Sequence, residues 1–387
     1  MTARLLVLAR LLALALVLAG CSSADPAPPE TEATGLPLLA PGLTVGTTFY
    51  GSADVSAQGA AERELLDRAI ARGLDGFTVY VDWSDLEAEP GQAHVAELTA
   101  TLGVLRRLGL TPFVNVTVGD IGDYNLPADL SDGAGGLADG VALDDPAVTD
   151  RFGRILDAVA PVVVAHGGFV LGVGNEVDVR LDDDGADSRP RLSGEREAYV
   201  RFVEAARERV HAVEPRLAVG VTLTNGAVRR RTATFRALRA VADVVPFNHA
   251  PVRPDLTVLD PGAIRADFRE VAEAYGDGPI LIQELTCPSA PSMGASEAWQ
   301  RACVERLFAE VRATPRVRFA SVFTFQDLDA PTCRAVREAL FGDELDDLPA
   351  DVAARLADYL CSLGLIDPGG APKPAWSALL DALGART

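Results

Sequence analysis

From Leu43 onward the chain alternates short β-rich runs with longer stretches whose apolar residues recur at helical spacing. The first run is Leu43 to Tyr50. The following segment puts Leu65, Leu66, Ala69 and Ile70 on one helical face, and Gly73 closes it. Phe77 to Val81 is the second run, with a helix predicted over Val95–Leu108. Thr111 to Val118 is the third, followed by a Gly- and Asp-rich loop (Gly119 to Asp145) and a helix from about Ala147 to Ala165. Phe169–Gly174, Leu217–Leu223, Val244–His249, Pro279–Leu285 and Val317–Phe325 complete eight strands. Their helices are predicted over Glu195–Val213, Thr232–Val241, Gly262–Tyr275 and Ser296–Thr314, with final helices near Asp351–Leu360 and Pro374–Leu383. Several strands are almost continuously apolar, the signature of parallel strands covered on both faces. Eight β-α units predict an α/β protein with a closed (β/α)8 TIM barrel, a single domain over 43–387. An open doubly wound sheet is the competing arrangement, but no G-x-G-x-x-G follows the first strand.

The segment ahead of the barrel has a different character. Arg4 and Arg10 precede an apolar stretch, Leu11 to Leu18, that is short for a bilayer span and suits a secretory leader. Leu18-Ala19-Gly20-Cys21 resembles the lipobox of bacterial lipoproteins. That resemblance implies cleavage after residue 20, a lipid on Cys21, and a chain anchored to the cell envelope outside the cytoplasm. Residues 21–42 are rich in Pro, Ser, Thr and acid and read as a flexible tether.

Composition narrows the partners. Of 387 residues, 35 are Lys or Arg and 55 Asp or Glu, a net charge of −20. Without the first twenty residues, which hold only Arg4 and Arg10, the balance is 33 against 55, or −22. Such a chain repels phosphate backbones, so nucleic acid is not an expected partner. Beyond Cys21 there are Cys287, Cys303, Cys333 and Cys361, with no C-x-x-C pair, so no zinc site is expected. An even number in an oxidising compartment suits one or two disulfides. Three pairings are open, and Cys333 with Cys361 would staple a late loop.

In a (β/α)8 barrel the chemistry sits where strands end at the C-terminal mouth. Strand four ends in Asn175-Glu176 and strand seven in Gln283-Glu284. A glutamate at the end of a buried strand is costly unless used or paired. Two of them on opposite sides of one mouth are what glycosidic hydrolysis needs. One must carry a proton for the leaving oxygen, and the other must be ionised toward the anomeric carbon.

VGNEVD around Glu176 and PILIQELTCPS around Glu284 resemble the strand-four and strand-seven motifs of the retaining (β/α)8 glycoside hydrolases of clan A. Asp82–Gln92, the strand-eight stretch SVFTFQDLD and Gly364–Trp376 are similar to further segments of that clan. The resemblance implies Glu176 as acid/base, Glu284 as nucleophile and Asn175 as the residue that binds the sugar 2-hydroxyl. It implies an oligo- or polysaccharide substrate with β linkages and no cofactor or metal. The chain departs from the clan's pattern in strand two, which lacks Arg, and in strand eight, which offers Thr324 and Phe325 in place of Trp. Asn248-His249 stands after strand six where a Tyr commonly orients the nucleophile, so His249 is a candidate donor to Glu284. Tyr50, Trp83, Phe247 and Phe325 end strands and are candidate sugar-stacking walls. Asn248 completes the candidate substrate contacts, and the chain is expected to act as a monomer. A glycan-binding lipoprotein on the same barrel, without hydrolysis, is the alternative reading. An envelope scaffold with no open cleft is a third.

Overall fold

The computed structural model describes residues 42–48, 60–182, 194–341 and 348–385. The leader, Cys21, the tether up to residue 41 and Tyr50 lie outside them. Eight parallel strands follow one another around the barrel: β1 (Thr44–Thr48), β2 (Gly76–Val81), β3 (Thr111–Asp120), β4 (Val170–Asn175), β5 (Ala218–Gly220), β6 (Phe247–His249), β7 (Ile280–Leu285) and β8 (Val317–Phe323). Each pairs with its sequence neighbour except β5 with β6, and β8 returns to β1 from Thr44↔Phe319 to Thr48↔Phe323. The ring is completed between β5 and β6. There the chain leaves β4 at Gly220, touches Val244 through a single bridge, and pairs with β6 only as Leu223–Thr224. The expected fifth strand is thus broken into two pieces that serve different neighbours. β6 is shorter than expected because Pro246 has no N–H for the ladder.

The outer ring comprises α1 (Ala60–Ile70), α2 (Ala96–Arg107), α3 (Pro146–Ala165), α4 (Glu195–Val213), α5 (Ala233–Val241), α6 (Ile264–Ala274) and α7 (Glu297–Ala313). After β8 come α8 (Ala330–Phe341), α9 (Ala350–Cys361) and α10 (Pro374–Gly384), of which α10 packs against α7. Side-chain caps start several helices where the sequence offers Ser, Thr or Asp. Ser296 accepts from the Trp299 N–H at 3.1 Å and Asp145 from Ala147 at 2.8 Å. Among the described residues no helix is long and apolar enough to cross a membrane.

Most buried apolar side chains lie between strands and helices. A separate cluster of Phe113, Phe169, Val170, Ala218, Val244, Leu281 and Phe319 plugs the barrel's lower interior. Phe319 fits because Gly76 faces it: a Cβ there would sit 2.9 Å from its ring. The cluster makes the lower part of the barrel a packed core.

The Gly119–Asp145 segment, expected as a loop, begins with regular structure. β3 runs on to Asp120, turns at Ile121 and Gly122 with φ of 44° and 94°, and returns antiparallel at Asp123–Tyr124. Both disulfides form: Cys287 with Cys303 and Cys333 with Cys361. The first ties the chain just past β7 to α7. The second, one of the pairings left open by the sequence, links α8 to α9.

Candidate active site

Two local backbone features put consecutive side chains into the barrel mouth. On β4, Gly174 has φ +122°, and a Cβ there would run into the Tyr199 hydroxyl, which donates to the Val173 carbonyl at 2.6 Å. Glu176 follows with φ +47°, a left-handed conformation that strains a non-glycine residue by about 1–3 kcal/mol. The bend lets both Asn175 and Glu176 reach Asn248, whose Nδ2 donates to Asn175 Oδ1 (3.1 Å) and Glu176 Oε1 (3.0 Å). On β7, the pairing register slips on both sides of Gln283–Glu284. A bulge of this kind re-aims side chains. Gln283 points into the barrel, fully buried, while Glu284 accepts a short hydrogen bond from the Tyr80 hydroxyl.

One hydrogen-bond network joins the two glutamates: Glu176, Asn248, Asn175, Gln283, Tyr80, Glu284. Gln283 Nε2 donates to Asn175 Oδ1 at 2.7 Å and to the Tyr80 oxygen at 3.1 Å. Asn175 Nδ2 donates to Asp120 at 2.8 Å, which brings a third carboxylate to the mouth. Glu176, Glu284, Tyr80 and Asp120 are partly exposed, whereas Asn175, Asn248 and Gln283 are buried beneath them.

The electrostatics follow from crowding acids in a poorly hydrated place. Burial pushes the Glu176 carboxyl well above the ordinary glutamate range, and the charges of Glu284 and Asp178 push it further, against the Asn248 hydrogen bond. Burial also raises Glu284, but the Tyr80 hydrogen bond restrains it to about 7. Asp120 is raised to about 7 by burial, against its bond from Asn175. Asp178 rises to about 6 by burial, although Thr224 bonds it through both N–H and hydroxyl. Tyr80 is itself pushed well above its ordinary value by burial and by Glu284, so it stays a donor. For a reaction that needs Glu284 ionised and Glu176 protonated, kcat/KM is expected to rise as pH climbs through about 7 and to fall at a higher pH. An acidic limb at 4.5, the ordinary glutamate value, would contradict the burial argument.

Several expectations need correction. Trp83 does not wall the cleft: it is fully buried against Phe152 and Phe202, with its indole N–H donating to Glu87 at 2.8 Å. Phe325 is also interior, edge-on to Trp376 at 5.1 Å, and Phe247 is core. His249 is fully buried and faces Asp267 of α6, Nε2 to Oδ2 3.1 Å, away from Glu284. Tyr80 of β2 supplies the donor instead. Asn175 and Asn248 bond each other, and Asn248 bonds Glu176. Tyr80, Gln283 and Asp120 went unread in the sequence, as did Tyr359. That residue, on α9, is partly exposed and bonds Thr286 at 2.8 Å; burial raises its phenol, and the charges of Glu176 and Glu284 add to the rise.

Barrel and mouth together define a (β/α)8 protein with paired, unequal carboxyl groups at the ends of β4 and β7. No family model matches the sequence, and no curated protein does. Solved structures do match in fold. A GH5_18 protein from Bifidobacterium longum subsp. longum in complex with Manβ1-4GlcNAc aligns with TM-score 0.65 and 13% identity, over 89% of this chain and 78% of that one. An exo-β-1,4-mannosidase from Opitutaceae bacterium strain TAV5 aligns at 0.64 and 20%, over 90% of this chain and 60% of that one. A GH5_18 protein from Streptomyces cattleya in complex with GlcNAc aligns at 0.64 and 17%, over 89% and 80%. The chain therefore has the barrel fold of GH5 glycoside hydrolases.

Proposed function

We propose that the chain is a retaining glycoside hydrolase acting on a β-linked glycan. The observation that carries this reading is the pair Glu176 and Glu284, joined by one network yet held in unequal environments. Glu176, with the more strongly raised carboxyl, holds the proton and gives it to the leaving oxygen. Glu284, kept more acidic by Tyr80, attacks the anomeric carbon, and the C–O bond to the leaving group breaks as the glycosyl-enzyme ester forms. Glu176, now ionised, takes a proton from water. That water attacks the anomeric carbon, frees Glu284 and restores the starting state. Asn175 lies on the hydrogen-bond path that joins the two carboxyls, and the clan resemblance gives it the sugar 2-hydroxyl to bind. The mechanism calls on no metal or cofactor.

The ligand of the Bifidobacterium structure and the activity of the Opitutaceae enzyme support β-mannosides as the first substrates to test. The lipobox-like sequence ending at Cys21 supports a lipid-anchored enzyme facing outward from the envelope. The test is a panel of chromogenic β-glycosides, with the anomer of the first-formed sugar read by proton NMR. Hydrolysis that yields the β-anomer first is expected. An α-anomer formed first would sink the double displacement, and no hydrolysis across β-manno-, β-gluco- and β-galactosides would count against the enzyme itself.

A further inference from the structure

We propose that Gln283 is a positioning residue that fixes the direction of the Tyr80 hydroxyl hydrogen and so keeps it aimed at Glu284. The inference rests on the reading of Glu284 as nucleophile, and it deepens that reading by naming what orients the nucleophile.

At the backbone, donor and acceptor are unambiguous. The Gly174 N–H donates to Asn115 Oδ1 at 3.2 Å, and the Gly174 carbonyl accepts from Asn115 Nδ2 at 3.1 Å. The two backbone groups of this one residue thus set which way the Asn115 amide lies. Asn115 Nδ2 also donates to Gln283 Oε1 at 2.7 Å, and the Thr222 hydroxyl reaches the same oxygen at 2.7 Å. With its oxygen held by two donors, Gln283 must present Nε2 to the other side. There its two hydrogens meet Asn175 Oδ1 at 2.7 Å and the Tyr80 oxygen at 3.1 Å, with Asn248 Oδ1 a longer third contact at 3.4 Å. Tyr80 receives a hydrogen from Gln283, so its own hydrogen points at the remaining partner, Glu284 Oε1. The polarity of the whole chain of bonds is therefore dictated from the buried floor of the barrel. Gln283, fully buried, has no contact with solvent through which a substrate could use it directly. Its effect passes through Tyr80 and Asn175.

Gln283→Met keeps the approximate shape and removes both the acceptor and the donor. The Tyr80 hydroxyl can then rotate, Glu284 loses its fixed donor, and its ionised form is disfavoured. The readout is the Glu284 pKa in the free protein, followed by NMR titration of chain labelled with 13C-glutamate and assigned with Glu284→Gln. A rise of about one unit is expected in Gln283→Met, a tenfold change in the ionisation constant. The same rise is expected in Tyr80→Phe, and no further rise in the double variant, because both changes remove one donor. Thr222→Val touches neither glutamate and frees one of the two bonds on Gln283 Oε1. It should give a smaller rise in the same direction, and it decides the matter if Gln283→Met does not fold. An unchanged Glu284 pKa in folded Gln283→Met or in Thr222→Val, or shifts from Tyr80→Phe and Gln283→Met that add, would overturn the proposal. Because this readout needs no substrate, its failure is distinguishable from a failure of the hydrolase reading. An active wild type without the coupling sinks the role of Gln283. The coupling in a protein that cleaves nothing supports that role and sinks the enzyme.

Discussion

Replacing Glu284 by alanine is expected to lower kcat by about 10⁴-fold or more on every substrate, because no covalent intermediate can form. Glu176→Ala should behave differently. A poor leaving group needs the proton of Glu176, so its cleavage should collapse to a similar degree. A dinitrophenyl glycoside leaves unaided, so its glycosyl-enzyme should form nearly as fast as in the wild type and then accumulate as a burst. Added azide separates the two roles by stereochemistry. In Glu284→Ala it enters from the face the nucleophile vacated and gives the α-glycosyl azide. In Glu176→Ala it attacks the intermediate from the opposite face and gives the β-glycosyl azide. If the two variants lose activity equally on dinitrophenyl and natural glycosides, or yield the same azide, the assignment of roles fails. The two residues differ in surroundings as well as in the roles assigned to them. Glu284 is tied to Tyr80 and sits over a register slip, while Glu176 stands on a left-handed backbone residue beside a buried asparagine.

The barrel was legible because its strands are apolar on both faces and its helices are amphipathic, a pattern that local chemistry dictates. The two glutamates were legible because a charged residue at the end of such a strand stands out. The supporting network was written in the same signal and passed over. Asn115 within TPFVNVTV, Thr222 within LAVGVTL and Gln283 within PILIQEL each interrupt an apolar run with a polar side chain. Each of these side chains turns into the barrel and is buried there, and all three meet at the Gln283 carbonyl oxygen. Tyr80 was hidden because a tyrosine is ordinary strand material, and its partner lies 204 positions away. Trp83 misled for the opposite reason. Its polar sequence neighbours suggest exposure, but the short helix Trp83–Leu86 folds it under α3 and α4, and Glu87 satisfies its indole. His249 stands one residue beyond Asn248, and that single step of strand periodicity turns it outward to α6 while Asn248 faces the site. Which face a polar residue takes at a strand end depends on bulges and on the loss of pairing. Here those are set by Pro246 and by the slip at β7, and neither shows in a periodicity count.

The same crowding that tunes the site should cost the fold stability, and Glu284→Gln is expected to recover it. A carboxyl whose pKa is raised on folding favours the native state at pH values below its unfolded pKa. That contribution is lost as pH climbs through the folded value. For Glu284 the window runs from 4.5 to about 7. The full shift corresponds to about 3 kcal/mol above that window, and the partial exposure of the side chain reduces it to about 1–2 kcal/mol. Glutamine keeps an oxygen for the Tyr80 hydroxyl and carries no charge to bury. At pH 8 the variant should therefore melt about 2–6 °C above the wild type, while at pH 4, below the window, where Glu284 is protonated in the native state and mostly so in the unfolded chain, the two should melt nearly together. Glu176→Gln should show the same pattern, since burial raises its carboxyl further still. The double variant should gain less than the two single gains combined, because removing either charge already relieves the repulsion between them. Melting curves by circular dichroism at the two pH values check this. A Glu284→Gln chain that melts with or below the wild type at pH 8 would mean that the carboxyl is well hydrated and that the site lacks the poorly solvated pocket the mechanism requires.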